Sequence, residues 1–307
     1  MKTQIHASTQ RQISAQAEGL KITLLGNNLD NIEYTSLIRN HLNTNKGDFG
    51  TVGIIGGSCG MHGSMYLSGR AAMSCGAGRV VLASVDSNFS SDLLMPELLT
   101  ARPKDVLKHI EDYSVVVVGP GLGKAETAIK LLEKILYLQP ATKFIFDADA
   151  LNLLAANTKW HYQFRALPNK IITPHPKEAA RLISCDVTEI QSRRVQSIKH
   201  LSEYYNSVTV LKGYASLLYN GTELYVNPTG NPGLSNAGQG DTLCGIIAAL
   251  TAQGMGLFDA LRLGVLIHGA AADELAVDFP GLIGILASDV SLKSRELINR
   301  LVVSKSL

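Results

Sequence analysis

The stretch VVVVGPGLG, residues 115–123, decides the fold. Side chains alternate between the two faces of a strand, so four consecutive valines leave neither face fit for water. Such a run belongs to a parallel sheet covered by helices on both sides. Three glycines around Pro120 then let the backbone approach a ligand closely, although a plain strand-to-helix turn accounts for them as well.

Outward from this stretch, short apolar runs recur at residues 52–55, 80–83, 144–146, 171–172 and 209–211. Helical patterns lie between them at 64–75, 125–138, 177–183 and 189–205. The alternation predicts an α/β fold with a mostly parallel central sheet and helices on both faces. Residues 216–219 and 223–226 flank Asn220-Gly221 and predict a hairpin at the sheet's edge. The globular pattern begins near Lys46. Residues 1–45 read as a polar N-terminal flank and residues 46–307 as one domain.

With 46% apolar residues, the 307-residue chain can bury a sizeable core. Its 28 basic and 26 acidic residues are spread along the chain, so nothing points to a nucleic-acid groove or a polybasic membrane patch. Cys59, Cys75, Cys185 and Cys244 form no CxxC pair and read as reduced core thiols. The N-terminal residues lack an apolar signal core, and no window approaches the ~20 apolar residues of a membrane span. The expected setting is cytosolic.

Ligands of such folds gather at the carboxyl ends of the strands. After residues 52–55 comes GGSCGMHGS, which lacks the G-x-G-x-x-G spacing of a dinucleotide fingerprint; it is a loop around a bulky ligand or a helix-entry turn. After residues 144–146 comes DADALN. Asp147 and Asp149 share a face and could reach a magnesium-bound phosphate, or Asp149 could cap the next helix. TPHPKE holds His175 between two prolines, a rigid geometry suited to recognising a substrate, with Glu178 placed to meet a metal through water. LKGYAS puts Lys212 at a strand end, facing either a nucleotide phosphate or solvent. The Walker A string is absent, which excludes a P-loop enzyme.

The remaining motif is GNPGLSNAGQGDTLCGIIAAL, residues 230–250. Its first half is a glycine-rich loop, and from Asp241 onward the apolar spacing is helical. A loop entering a helix presents unpaired N–H groups, reinforced by the helix dipole, and so forms a phosphate cradle. Asp241 would repel that phosphate unless it has other work. It either takes a proton from a hydroxyl attacking the phosphorus or simply caps the helix.

In order along residues 46–294, KGDFG, GGSCGMHGS, GAGRV, VVVGPGLG, DADALNLL, TPHPKE, LKG and NPTGNPG running into GQGD together resemble the ADP-dependent NAD(P)H-hydrate dehydratases of the ribokinase-like superfamily. The resemblance implies repair of hydrated NADH or NADPH at the expense of ADP, releasing AMP and phosphate. Asp241 would be the base, with Gly238 and Gly240 forming the anion hole. Ser64, Gly121, His175 and Asp241 would line the hydrate site. Lys212, Gly213, Tyr214, Ala215, Ser216 and Gly240 would meet the nucleotide, and Glu178 would help hold Mg2+. The resemblance also implies a homotetramer, the habit of that family, in the expected cytoplasmic setting.

The chain departs from the family strings at Asn45, Ser64, Lys177, Asn236 and Gln239, and Gln239 is expected inside the anion hole. An epimerase domain often precedes this family's domain; with only the polar flank before the match, epimerase activity is expected to be absent. Two other readings keep the same loop: a vitamin or sugar kinase that releases a stable phosphate ester, and a nucleotide-binding protein without turnover.

Overall fold

The computed structural model describes residues 5, 7–16, 22–24, 32–39 and 41–306. Parts of the expected flank, including Leu25, lie outside the described residues. The described strands are β1 (Ile22–Leu24), β2 (Thr51–Gly56), β3 (Arg79–Ser84), β4 (Leu99–Ala101), β5 (Val115–Val118), β6 (Lys143–Phe146), β7 (Lys170–Ile172), β8 (Val208–Leu211), β9 (Leu217–Tyr219) and β10 (Leu224–Val226). They form one sheet in the order β1-β10-β9-β8-β7-β6-β5-β2-β3-β4. From β4 to β8 every pairing is parallel. The hairpin strands β9 and β10 pair antiparallel with each other, and β9 pairs antiparallel with β8.

The described helices are α1 (Ala7–Gln16), α2 (His62–Ser74), α3 (Pro103–Lys108), α4 (Glu126–Leu138), α5 (Asp149–Ala156), α6 (His161–Ala166), α7 (Pro176–Leu182), α8 (Val187–Ser192), α9 (Arg194–Tyr205), α10 (Gln239–Ala252), α11 (Leu257–Asp278) and α12 (Ala287–Ser306). They cover both faces. Val115 and Val117 join Ile54, Ile145 and the buried side chains of α10 and α11 in one core, while Val116 and Val118 join Phe144, Phe146, Leu132 and Ile135 in the other. The four-valine run therefore feeds two cores by alternation, as its composition requires.

Helix α10 is the buried spine of the first core. Ile246, Ile247, Ala248, Ala249 and Leu250 are all fully buried. It lies so close to α2 that a Cβ on Gly245 would stand 2.1 Å from the Ser68 carbonyl oxygen, so only glycine permits the contact.

Three expectations change in detail. The helix expected over 189–205 is two helices, α8 and α9, broken at Arg193 (φ −129°, ψ 47°). The hairpin is not the sheet's edge, because β1 pairs parallel with β10. The described part of residues 1–45 belongs to the packed body: Ile32, Tyr34 and Leu37 enter one core and Ile5 and Ile13 the other. Gln16 ties α1 to α9 by accepting from Val195 N and donating to the Ser192 carbonyl. Isolated apolar residues among polar ones carry no periodic signal, so their burial depends on neighbours far away in sequence.

Candidate active site

The carboxyl ends of β2, β5 and β6 meet with almost no space between them. Gly57 N donates to Pro120 O (2.9 Å) and Ser58 N to Gly121 O (2.6 Å), so the loops after β2 and β5 are joined main chain to main chain. A Cβ on Gly56 would stand 2.0 Å from Pro120 O, and one on Gly119 would stand 1.8 Å from Asp147 O. Gly121 adopts φ +60°, and its α-carbon faces the Met61 carbonyl. The expected GPGLG turn thus packs tightly against the loops after β2 and β6 rather than merely reversing the chain.

Asp149 does not cap α5. It is the first residue of that helix, and its Oδ2 accepts from Gly123 N at 2.9 Å, holding the far end of the GPGLG loop. Asp147, two residues earlier, is buried and ion-paired: its Oδ1 accepts from Lys212 Nζ (2.7 Å) and Thr173 Oγ1 (2.7 Å), and its Oδ2 from Cys244 Sγ (3.4 Å). Burial opposes its charge, but the Lys212 ammonium, with the hydrogen bonds from Thr173 and Cys244, outweighs burial and holds the carboxyl below the usual carboxylate range. Lys212 is correspondingly held above its ordinary value by Asp147 and Glu178, against burial. A solvated strand-end lysine is excluded.

This ion pair lies directly beneath the start of α10. A Cβ on Gly240 would be 3.4 Å from Lys212 Nζ and 3.5 Å from Asp147 Oδ2. Gly238 is the residue before the helix, in the left-handed region at φ +88°, and a side chain there would collide with Leu67. The first-turn N–H groups of α10 therefore have a cation beneath them.

Asp241 is also in that first turn, with Ser64 close by. Burial and the nearby Asp147 charge push its carboxyl up to about 7, with Ser64 and Lys212 acting the other way. Its side chain does not cap α10. A carboxyl half-protonated near neutral pH, beside open amides, can accept a proton from a bound hydroxyl.

Gln239 is not in the anion hole. Its side chain is buried; Nε2 donates to Asn236 Oδ1 (2.8 Å) and to Ile285 O (3.2 Å), and Asn236 Nδ2 also donates to Ile285 O (2.7 Å). These two departures from the family string therefore fasten the loop to the segment before α12 from behind. Lys177 is exposed and makes no ion pair among the described residues.

His175 caps α7. Its Nδ1 accepts from Lys177 N (3.0 Å) and Glu178 N (3.3 Å), so the ring hydrogen sits on Nε2, 3.3 Å from Glu178 Oε1. Glu178 Oε2 accepts from His175 N (2.9 Å), completing a capping box. Burial and Lys212 hold His175 below its usual value, keeping it neutral. Burial pushes Glu178 up to about 6 against the pull of Lys212.

Glu178, expected to help hold Mg2+, takes part in the cap of its own helix. Both its oxygens are engaged within the protein, and among the described residues no group of three or more His, Cys, Asp or Glu could hold a metal ion.

Ser64 and Lys212 lie near Asp241, Gly240 sits over Lys212, and Lys212 in turn faces Glu178 and His175, whereas Gly121 and Gly238 pack against Met61 and Leu67. Gly213, Tyr214, Ala215 and Ser216 continue from Lys212 as a turn. Gly213 (φ +135°) rests over the Arg194 guanidinium, Ala215 takes φ +52°, and Ser216 Oγ closes the turn on Gly213 O (2.9 Å). Sequence reading missed Thr173 and Cys244 as partners of Asp147. Cys244 follows Asp241 by three residues, one helical turn along the same face, and that spacing was the available signal.

A family model described as NAD(P)H-hydrate dehydratase matches residues 52–294. The chain is 37% identical over 268 residues to the ADP-dependent (S)-NAD(P)H-hydrate dehydratase of Neisseria meningitidis serogroup B, covering 85% of this chain and 89% of that protein. It is 39% identical over 273 residues to the bifunctional NAD(P)H-hydrate repair enzyme of Escherichia coli K12, covering 86% of this chain and 50% of the relative. The chain thus spans about half the length of that bifunctional relative. Among solved structures, the ADP/ATP-dependent NAD(P)H-hydrate dehydratase of Bacillus subtilis, co-crystallised with ATP/Mg2+, is similar with a TM-score of 0.70 and 28% identity, over 88% of this chain and 99% of that one. A ribokinase-like superfamily protein of Enterococcus faecalis shares the fold with a TM-score of 0.75 at 22% identity, over 91% of this chain and 96% of that one.

Proposed function

From the premise that this chain belongs to the NAD(P)H-hydrate dehydratase family, we propose that it dehydrates hydrated NADH and NADPH using ADP, with Asp241 as the base. The observation that carries the residue assignment is the place of Asp241 in the first turn of α10, next to Gly240, which lies directly over the Lys212 ammonium; burial there pushes the carboxyl up to about 7. Water added across the nicotinamide ring leaves a hydroxyl on C6. Asp241 takes the hydroxyl proton as that oxygen attacks the β-phosphorus of ADP. The bond to the bridging oxygen breaks and AMP departs.

Hydroxide is a poor leaving group, whereas a phosphate ester is a good one. The N1 lone pair expels the phosphate, and loss of a C5 proton restores the ring double bond. The amides of Gly238 and Gly240 would hold the transferring phosphoryl oxygens, with Lys212 adding charge from below. Ser64 orients the carboxylate. Gly121 and the exposed edge of His175 would border the ring, and Lys212 to Ser216 the nucleotide.

Magnesium enters this reading as a companion of the nucleotide, which supplies phosphate oxygens; the carboxylates of Asp147 and Glu178 are engaged elsewhere, and no step is routed through the ion. Cytoplasmic placement and a homotetramer belong to the same reading, and light scattering after size exclusion reads the tetramer. Among the described residues no helix is long and apolar enough to cross a membrane.

The purified protein, given ADP, Mg2+ and hydrated NADH, is expected to restore reduced-nicotinamide absorbance and form AMP in equal amounts. A persistent phosphorylated small molecule in place of restored cofactor would favour the kinase reading.

A further inference from the structure

A cavity of about 850 Å3 lies between the carboxyl ends of β3 and β4 and the helices α3 and α4. That volume suits a ligand of nucleotide size. The segment after β3 forms one wall and is fastened to the candidate site. Val85 N donates to Gly56 O (2.9 Å), Ser84 Oγ donates to Gly57 O (2.6 Å), and Asp86 pairs with His62 at 3.0 Å, two residues before Ser64. Helix α4 forms the opposite wall and follows closely on the GPGLG loop. One wall is thus fastened to the loop after β2, and the other continues the loop after β5.

The chemistry of the lining is two-sided. Val85, Phe89, Leu107 and Leu131 offer apolar surface against which a flat base can lie. Arg102, Lys104, Lys130 and Lys134 outnumber Asp86 and Asp105. Most of this charge is partly answered: Arg102 pairs with Asp105, next to Lys104, and Lys130 pairs with Glu126. Lys134 is exposed and has no ion-pair partner among the described residues. An apolar wall beside an unanswered cation accommodates a base carrying a phosphate.

We propose that this cavity holds the adenosine half of the dinucleotide hydrate, and that Lys134, with Lys104, binds the ribose 2′-phosphate, so that hydrated NADPH is preferred over hydrated NADH. The proposal rests on the dehydratase reading for its substrate. The nicotinamide end meets Asp241 while the far end crosses the joined loops into the cavity. The proposal involves binding alone.

The test compares wild-type protein with Lys134→Ala and the double variant Lys104→Ala/Lys134→Ala. The KM for hydrated NADPH is expected to rise about tenfold in the double variant, with kcat unchanged and the KM for hydrated NADH changed less than twofold. An equal rise for both hydrates, or none, overturns the proposal. A second arm needs no turnover: adenosine 2′,5′-bisphosphate, titrated calorimetrically in saturating ADP, is expected to bind wild type and to bind the double variant about tenfold more weakly. Absence of binding to wild type overturns the proposal. If the bisphosphate behaves as expected while no hydrate is dehydrated, the dehydratase reading has failed and the cavity assignment stands. Normal turnover with unaltered KM values means that the cavity assignment has failed and the dehydratase reading stands. Circular dichroism and unchanged ADP affinity confirm that the variants are folded.

Discussion

Asp241 combines two demands that oppose each other. Burial and the neighbouring Asp147 raise its carboxyl to about 7, which suits a base but weakens the fold. A carboxyl raised in the folded state stabilises the protein at low pH, and that contribution disappears as pH rises through the folded value. Asp241→Asn is therefore expected to raise the melting temperature at pH 8 by about 2 °C while lowering turnover by roughly 10² or more. ADP affinity should stay within a few-fold; a parallel loss of ADP binding and turnover would mark Asp241 as structural. In the wild type, kcat/KM should climb with pH and level off above about 7. Gly238 is constrained differently: with φ +88° and Leu67 in the path of any Cβ, Gly238→Ala should cost roughly 1 kcal/mol or more in denaturant unfolding and lose phosphoryl transfer with it.

At the scale of elements, α7 is capped by a residue of the proposed site. His175 caps α7 through Nδ1 and closes a capping box with Glu178, so His175→Ala should cost about 1 kcal/mol of stability and also weaken hydrate binding. Asparagine is a good cap without an imidazole. His175→Asn should therefore keep most of the stability while the KM for the hydrate still rises; if both variants lose stability equally, the ring is needed for packing. The elements were legible where composition left one option. The four valines of β5 demanded two covered faces, and the glycine-rich approach to α10 demanded a loop entering a helix. The site was legible only in part. Lys212 and Asp147 are 65 residues apart, and nothing local says that they pair. Gln239 sits in the loop string, yet its direction is decided by the Ile285 carbonyl, 46 residues away. Asp149 looked like a cap because acidic residues often cap helices, but the Gly123 amide claimed it.

For the whole molecule, the parallel body from β4 to β8 is completed at its antiparallel side by β1. Removing the chain through Leu24 would bare the β10 edge and strip α1 from the surface of α9. The truncated protein is expected to melt lower and to self-associate, as read by light scattering, because an unpaired edge invites further strands. A truncation that melts and sediments like the full chain would show that β1 adds nothing. The joining of the loops after β2 and β5 has another consequence. Because amides and carbonyls make that junction, mutation can replace the groups projecting from it without loosening the platform itself. Lineages sharing this architecture are free to exchange one acceptor molecule for another while the machinery for moving phosphate stays in place.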